Sequence, residues 1–200
     1  METTGMITLI GRGVQMTGAV VAGITDDRWS APSPCAGWTV RDVLNHVVGG
    51  MRIFAAELDG RQPEAAHEAE WLGADPVAAY TEAAEMDLDA WRTPGAMSGS
   101  VTISLGQLPA GFAAVVHVLE LVGHGVDLAA ATDQEHLVDE ELCEEVLGLL
   151  TAMGGIDGYR LPEVFGPEVP VDPGAPAHER LAGYLGRHLT ADMTTTGAVA

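Results

Sequence analysis

The chain has 200 residues, enough for one domain with a sizeable core, and 47% of them are hydrophobic. Its formal net charge is −20 and all nine basic residues are Arg, so phosphate backbones and anionic lipid surfaces are disfavoured as partners. The absence of Lys also excludes Schiff-base chemistry and a Walker-type phosphate lysine.

The first apolar stretch, residues 5–25, reads as a helix weakened by Gly11, Gly13, Gly18 and Gly23. Glu2 precedes it, Arg12 and Gln15 interrupt it, and no basic leader is present, so neither a signal peptide nor a membrane anchor is expected. Ser30 to Trp38 is a loop by its Pro and Gly content. Its Cys35 and the distant Cys143 form no C-x-x-C pair, which fits a reducing cytoplasm. Cys35 precedes a helix N-terminus, where a thiolate is favoured, but a buried, unreactive Cys in a Pro-rich turn is the preferred reading.

Thr39-Val-Arg-Asp42 looks like a capping box opening a second helix, in which Val40, Leu44, Val47, Met51, Phe54 and Leu58 make a core-facing stripe. Gly60 ends it. Asp75-Pro76 opens a third helix that runs to about Trp91 before Pro94-Gly95. Residues 101–105 alternate like a strand with no evident partner. Pro109 then starts a long helix to about Ala131, Asp139 caps another to Met153, and a Pro-rich connection leads from Leu161 to Pro176. A last helix passes through Arg180 and Leu185 to about Arg187. The expected architecture is all-α, a four-helix bundle with additional C-terminal helices spanning residues 1–188, and 189–200 are expected to be a disordered tail.

The helix from Pro109 carries the chemistry. His117, Glu120, His124 and Asp127 are spaced three, four and three residues apart, which puts two imidazoles and two carboxylates in one column of an otherwise apolar segment. These are ligand types of divalent transition metals. Glu120 and His124, at i and i+4, can grip one ion, and His46 can approach from the second helix. Two His and one carboxylate leave a tetrahedral position open, the catalytic arrangement. The alternative is that the column is the polar face of an ordinary amphipathic helix. Gly49 and Gly50, one turn beyond His46, are read as leaving space for a ligand.

The run Ser33-Pro-Cys-Ala-Gly-Trp-Thr-Val-Arg-Asp-Val-Leu-Asn-His46-Val-Val-Gly-Gly50 and the run Glu120-Leu-Val-Gly-His124-Gly-Val-Asp-Leu-Ala129 together resemble the DinB-like superfamily, in its mycothiol-dependent maleylpyruvate isomerase N-terminal type. The terminal Leu181-Ala-Gly-Tyr-Leu-Gly-Arg187 is similar to the ending of short members of that group. The resemblance implies a DinB-type bundle holding a divalent metal, typically zinc, on His46, Glu120 and His124. It implies mycothiol as the thiol cosubstrate, with its sulfur in the open metal position, and a small electrophile as the substrate of a transfer or isomerisation. A non-catalytic module that binds a small ligand or partner is the competing reading. Two departures stand out: Val126 replaces the aromatic of the family's second motif, and the chain is expected to end before the second domain of the full isomerase.

Asp127 is read as orienting a ligand imidazole. His117 is read as lining the cavity without ligating. Trp38 and Arg41 are expected to hold their loop on the bundle, and Arg187 to form a surface salt bridge in preference to contacting an anionic substrate.

Overall fold

The computed structural model describes residues 3–103, 106–160 and 165–189. Helices α1 (Thr3–Ala22), α2 (Val40–Leu58), α3 (Pro76–Arg92) and α4 (Ala110–Ala131) form the bundle, and α5 (Glu140–Ala152) and α6 (Ala177–Tyr184) are added against α4. The all-α reading therefore holds. One feature lies outside it: the stretch read as a lone strand is half of an antiparallel hairpin, β1 (Ser100–Ile103) with β2 (Gly106–Pro109), in which Val101 faces Leu108. Glu57 of α2 accepts a hydrogen bond from the Thr102 backbone at 2.9 Å, so the hairpin is tied to the bundle. The partner strand was hidden in the sequence because Gly106 and Gln107 carry no strand signal.

The helix starts follow their local chemistry. The Thr39 side chain accepts from the Asp42 backbone while Asp42 accepts from the Thr39 backbone, the reciprocal capping box the sequence predicts. Asp75 caps α3 and Asp139 caps α5. Helix α1 ends at Ala22, before the predicted limit of 25, and α6 ends at Tyr184, before Arg187. The second difference matters, because residues 185–187 turn back onto the bundle.

Helix α4 is apolar nearly all round, and 78% of its most apolar window is buried. A helix of that kind belongs in the middle of a protein. Helices α1 and α4 are each long and apolar enough to cross a membrane by length and composition, yet here α4 packs against α1, α2, α5 and α6. The α1–α4 contact is close because small residues meet there. A Cβ on Gly125 would lie 2.4 Å from Thr17 Oγ1, and one on Gly13 would lie 3.3 Å from the Leu121 Cβ. Thr17 also donates to the Leu121 carbonyl at 2.9 Å. The α1 glycines that weaken the helix signal thus include positions where another helix needs the space. The expected tail from 189 to 200 lies, beyond Leu189, outside the described residues.

Candidate functional site

Helices α2 and α4 bring His46, Glu120 and His124 together. Glu120 Oε2 is 2.9 Å from His46 Nε2 and 3.3 Å from His124 Nε2. One ligand atom from each of the three lies within 4.8 Å of the others. Tetrahedral donors at bond lengths of about 2.0–2.2 Å stand roughly 3.3–3.6 Å apart, so the set fits a small divalent ion after slight adjustment. Burial lowers the pKa of His46 against the opposing pull of Glu120, which favours the neutral ring that a metal requires. Burial alone would raise Glu120, but His124 and His46 outweigh it and hold this carboxyl well below its usual range.

The column on α4 is divided among three neighbours. Glu120 and His124 face His46. His117 turns toward α3, where its Nε2 is 2.8 Å from Asp87 Oδ2, and Asp87 Oδ1 accepts from Trp91 Nε1 at 3.1 Å. The Phe54 ring lies 4.3 Å from that of His117, so this imidazole is bound and packed at the edge of the cavity.

Asp127 is wholly buried and accepts from three directions. His124 Nδ1 is 3.0 Å from its Oδ2, the Cys35 thiol donates to the same oxygen at 3.0 Å, and Arg187 Nε lies 3.3 Å from Oδ1. Burial opposes the charge on Asp127, but Arg187 and His124 outweigh it and keep the carboxyl below its usual range. Burial likewise opposes a proton on His124. The Cys35 sulfur, Asp127 and Glu120 override it and raise the ring well above the usual imidazole value.

Two expectations are corrected here. Arg187 makes no surface salt bridge: its side chain is 11% exposed, it pairs with Asp127, and it donates to the Leu185 carbonyl at 2.9 Å. Cys35 is half-buried and lines the cavity, with its sulfur 3.7 Å from His124 Nδ1 and 3.6 Å from Arg187 Nη2. The local signals gave no route to either, because Arg187 and Cys35 are 152 residues apart and meet only through the fold. The Cys143 thiol, by contrast, is fully buried on α5, and burial pushes its pKa up to about 12. Iodoacetamide at pH 8 is therefore expected to label Cys35 in the folded protein and Cys143 only after unfolding, as read by peptide mass spectrometry.

Gly49 also has a different purpose from the one predicted. A Cβ there would lie 2.6 Å from Trp71 Nε1 and 3.1 Å from His67 Cδ2, so the space is taken by the loop between α2 and α3. Asn45 fixes that loop by donating to the Ala69 carbonyl and accepting from the Trp71 backbone, both at 2.8 Å. The loop in turn lays the His67 ring 4.2 Å from that of His46. Gly49→Ala should lift the loop and cost about 1–3 kcal/mol, measurable as a lower urea midpoint. Gly50 alone of the two borders the cavity.

The cavity beside these groups has a volume of about 790 Å³. Trp38 does more than hold its loop: its ring stacks over His124 at a centroid distance of 6.0 Å and an interplanar angle of 18°. The aromatic wall thus comes from position 38, while Val126 is buried in the core.

Over residues 11–129 the sequence matches the family model of the mycothiol maleylpyruvate isomerase N-terminal domain. The chain belongs to that family. Two uncharacterised proteins of Mycobacterium tuberculosis, from strains CDC 1551 and H37Rv, are each 32% identical over 169 residues, covering 84% of this chain and 90% of theirs. Among solved structures, a mycothiol-dependent maleylpyruvate isomerase superposes with a TM-score of 0.57 at 18% identity, over 78% of this chain and 73% of the other. A point mutant of a mycothiol-dependent maleylpyruvate isomerase gives 0.54 at 19% identity. At that identity the likeness concerns the fold. The family match also spans both segments that supply the His46, Glu120 and His124 cluster.

Proposed function

We propose that this protein binds a divalent metal, zinc by ligand preference, through His46, Glu120 and His124. It then uses mycothiol or another low-molecular-weight thiol to attack a small electrophile, in a transfer or isomerisation carried out in the cytoplasm. The single observation behind this reading is the convergence of three donors from two helices on one cavity, with the far nitrogen of His124 held by buried Asp127. The mycothiol dependence of the structural neighbours supports the choice of thiol. Residues 1–188 are taken as the working unit.

A bound ion at these donors would supply an open position that favours a thiol sulfur in its thiolate form. The protein groups provide the rest. Asp127 fixes the ring orientation of His124 through Nδ1, the role typical of carboxylates behind ligating imidazoles. Arg187 offsets the charge of Asp127, and Trp38 stacks on His124 at one side of the site.

The test starts with metal analysis of protein purified without added metal. The loaded protein is then incubated with mycothiol and a chlorinated dinitrobenzene, with and without chelator. In that reaction the sulfur–carbon bond forms, chloride leaves and the thiol proton passes to solvent. About one equivalent of metal and a chelator-sensitive adduct are expected; a metal-free protein that never gains a metal-dependent rate would sink the proposal.

A further inference from the structure

We infer that the cavity takes a ligand with an extended apolar body and at most one anionic group, and that a small dicarboxylate is not its substrate class. As an assignment of the electrophile, this rests on the thiol reaction proposed above; as an assignment of the ligand, it rests on the cavity itself.

The argument begins with charge. The chain holds nine Arg and no Lys, and every one of those Arg is placed. Eight of them do not line the cavity and each pairs with a carboxylate, as Arg52 does with Glu82 and Arg12 with Asp139. The ninth, Arg187, lines the cavity but already faces Asp127. A ligand with two carboxylates would find one guanidinium at the cavity, already committed to Asp127, with only the cluster histidines and His67 beside Glu120 left to face its second charge, and burying a charge without a full partner is unfavourable.

The walls point to the occupant. Away from the cluster, the cavity is bounded by Ile53 of α2, by Phe112, Val115, Val116 and Leu119 of α4, and by Met153 after α5. None of these side chains can pair with a polar ligand group. Met153 is 41% exposed and Tyr159 39%, so two large side chains stand open to solvent where they border this space. A volume near 790 Å³ is in the range that holds a molecule of drug size, well beyond a four-carbon acid. The same cavity reaches His46, Glu120 and His124, so an apolar body seated there can present a reactive carbon to the thiol site.

The test uses the zinc-loaded protein with mycothiol and straight-chain 2-alkenals of four to ten carbons. The sulfur bonds to C3, the C2–C3 π pair shifts toward the carbonyl to give an enolate, and C2 then takes up the proton given up by the thiol. Relative to the uncatalysed rate, kcat/KM is expected to rise about four-fold for each added methylene until the cavity is filled, and maleate is expected to gain nothing. A binding arm without chemistry compares 1-decanol with succinate by calorimetry. Decanol should bind with a negative heat-capacity change and succinate should not. Val116→Glu and, separately, Ile53→Glu should weaken decanol binding at least ten-fold while metal content stays at the parent level.

A flat or falling chain-length series, or succinate binding as tightly as decanol, would overturn the inference. Decanol binding without a metal-dependent adduct from any electrophile would instead overturn the thiol reaction and leave the ligand class standing.

Discussion

His124→Ala is expected to lose metal retention and thiol-adduct formation together, with His46→Ala showing the same pair of losses. Each variant removes one of three donors, so its effect should exceed the 10–100-fold (roughly) loss of affinity that follows when only a group behind a ligand is removed. Competition with a calibrated chelator gives the affinity, and thermal melting followed by circular dichroism shows whether the bundle is intact. His46 is the cleaner test of the two, since it is half-buried, whereas His124 also bonds Asp127 from within the core. A His46→Ala protein that melts like the parent and keeps the parent's metal affinity would remove His46 from the ligand set.

The second large effect is expected at Asp127. Asp127→Ala strips Arg187 of its carboxylate in a place where its side chain is 11% exposed and, among the described residues, leaves it the Leu185 carbonyl, the Cys35 sulfur and the Phe165 ring. Removing one partner of a buried ion pair costs about 3–5 kcal/mol because the other charge is left uncompensated. Asp127→Asn keeps the shape, loses the charge, and should fall between. The pairing double variant Asp127→Ala with Arg187→Ala should recover a good part of the stability, since the stranded charge is gone, yet recover none of the metal affinity. Urea unfolding and chelator competition on the four proteins separate the two roles. Metal affinity that returns along with stability would mean that Asp127 acts on the fold alone.

The sequence carried the local parts of this structure well. The capping box of α2 depends on Thr39 and Asp42, three residues apart, and the stripe from Val40 to Phe54 depends on spacing within one helix, so both could be read directly. The Glu120–His124 pair is legible for the same reason. Asp127 needed only one further turn. The rest depends on long-range contacts. Nothing near Cys35 says that Asp127 will accept a hydrogen bond from it, and Arg187 reads as a surface residue unless α6 stops at Tyr184, as it does. His117 belonged to the same column in sequence, but α3 presents Asp87 and draws it away from the other two. Gly49 was misread because its neighbour in space, Trp71, sits in a loop with no periodic signal.

The convergence on Asp127 bears on how the molecule reaches its working state. Its carboxylate joins Cys35, 92 residues earlier, to Arg187, 60 residues later, so two long chain closures must be complete before the carboxylate has all its partners. Long-range closures carry an entropic cost that local contacts do not, and they tend to form after nearby helices have paired. The segment after α6 is the last of these to be synthesised. The geometry behind His124 is therefore finished only when the segment carrying Arg187 has docked, and a molecule lacking that segment would present a bundle whose site lacks its counter-charge.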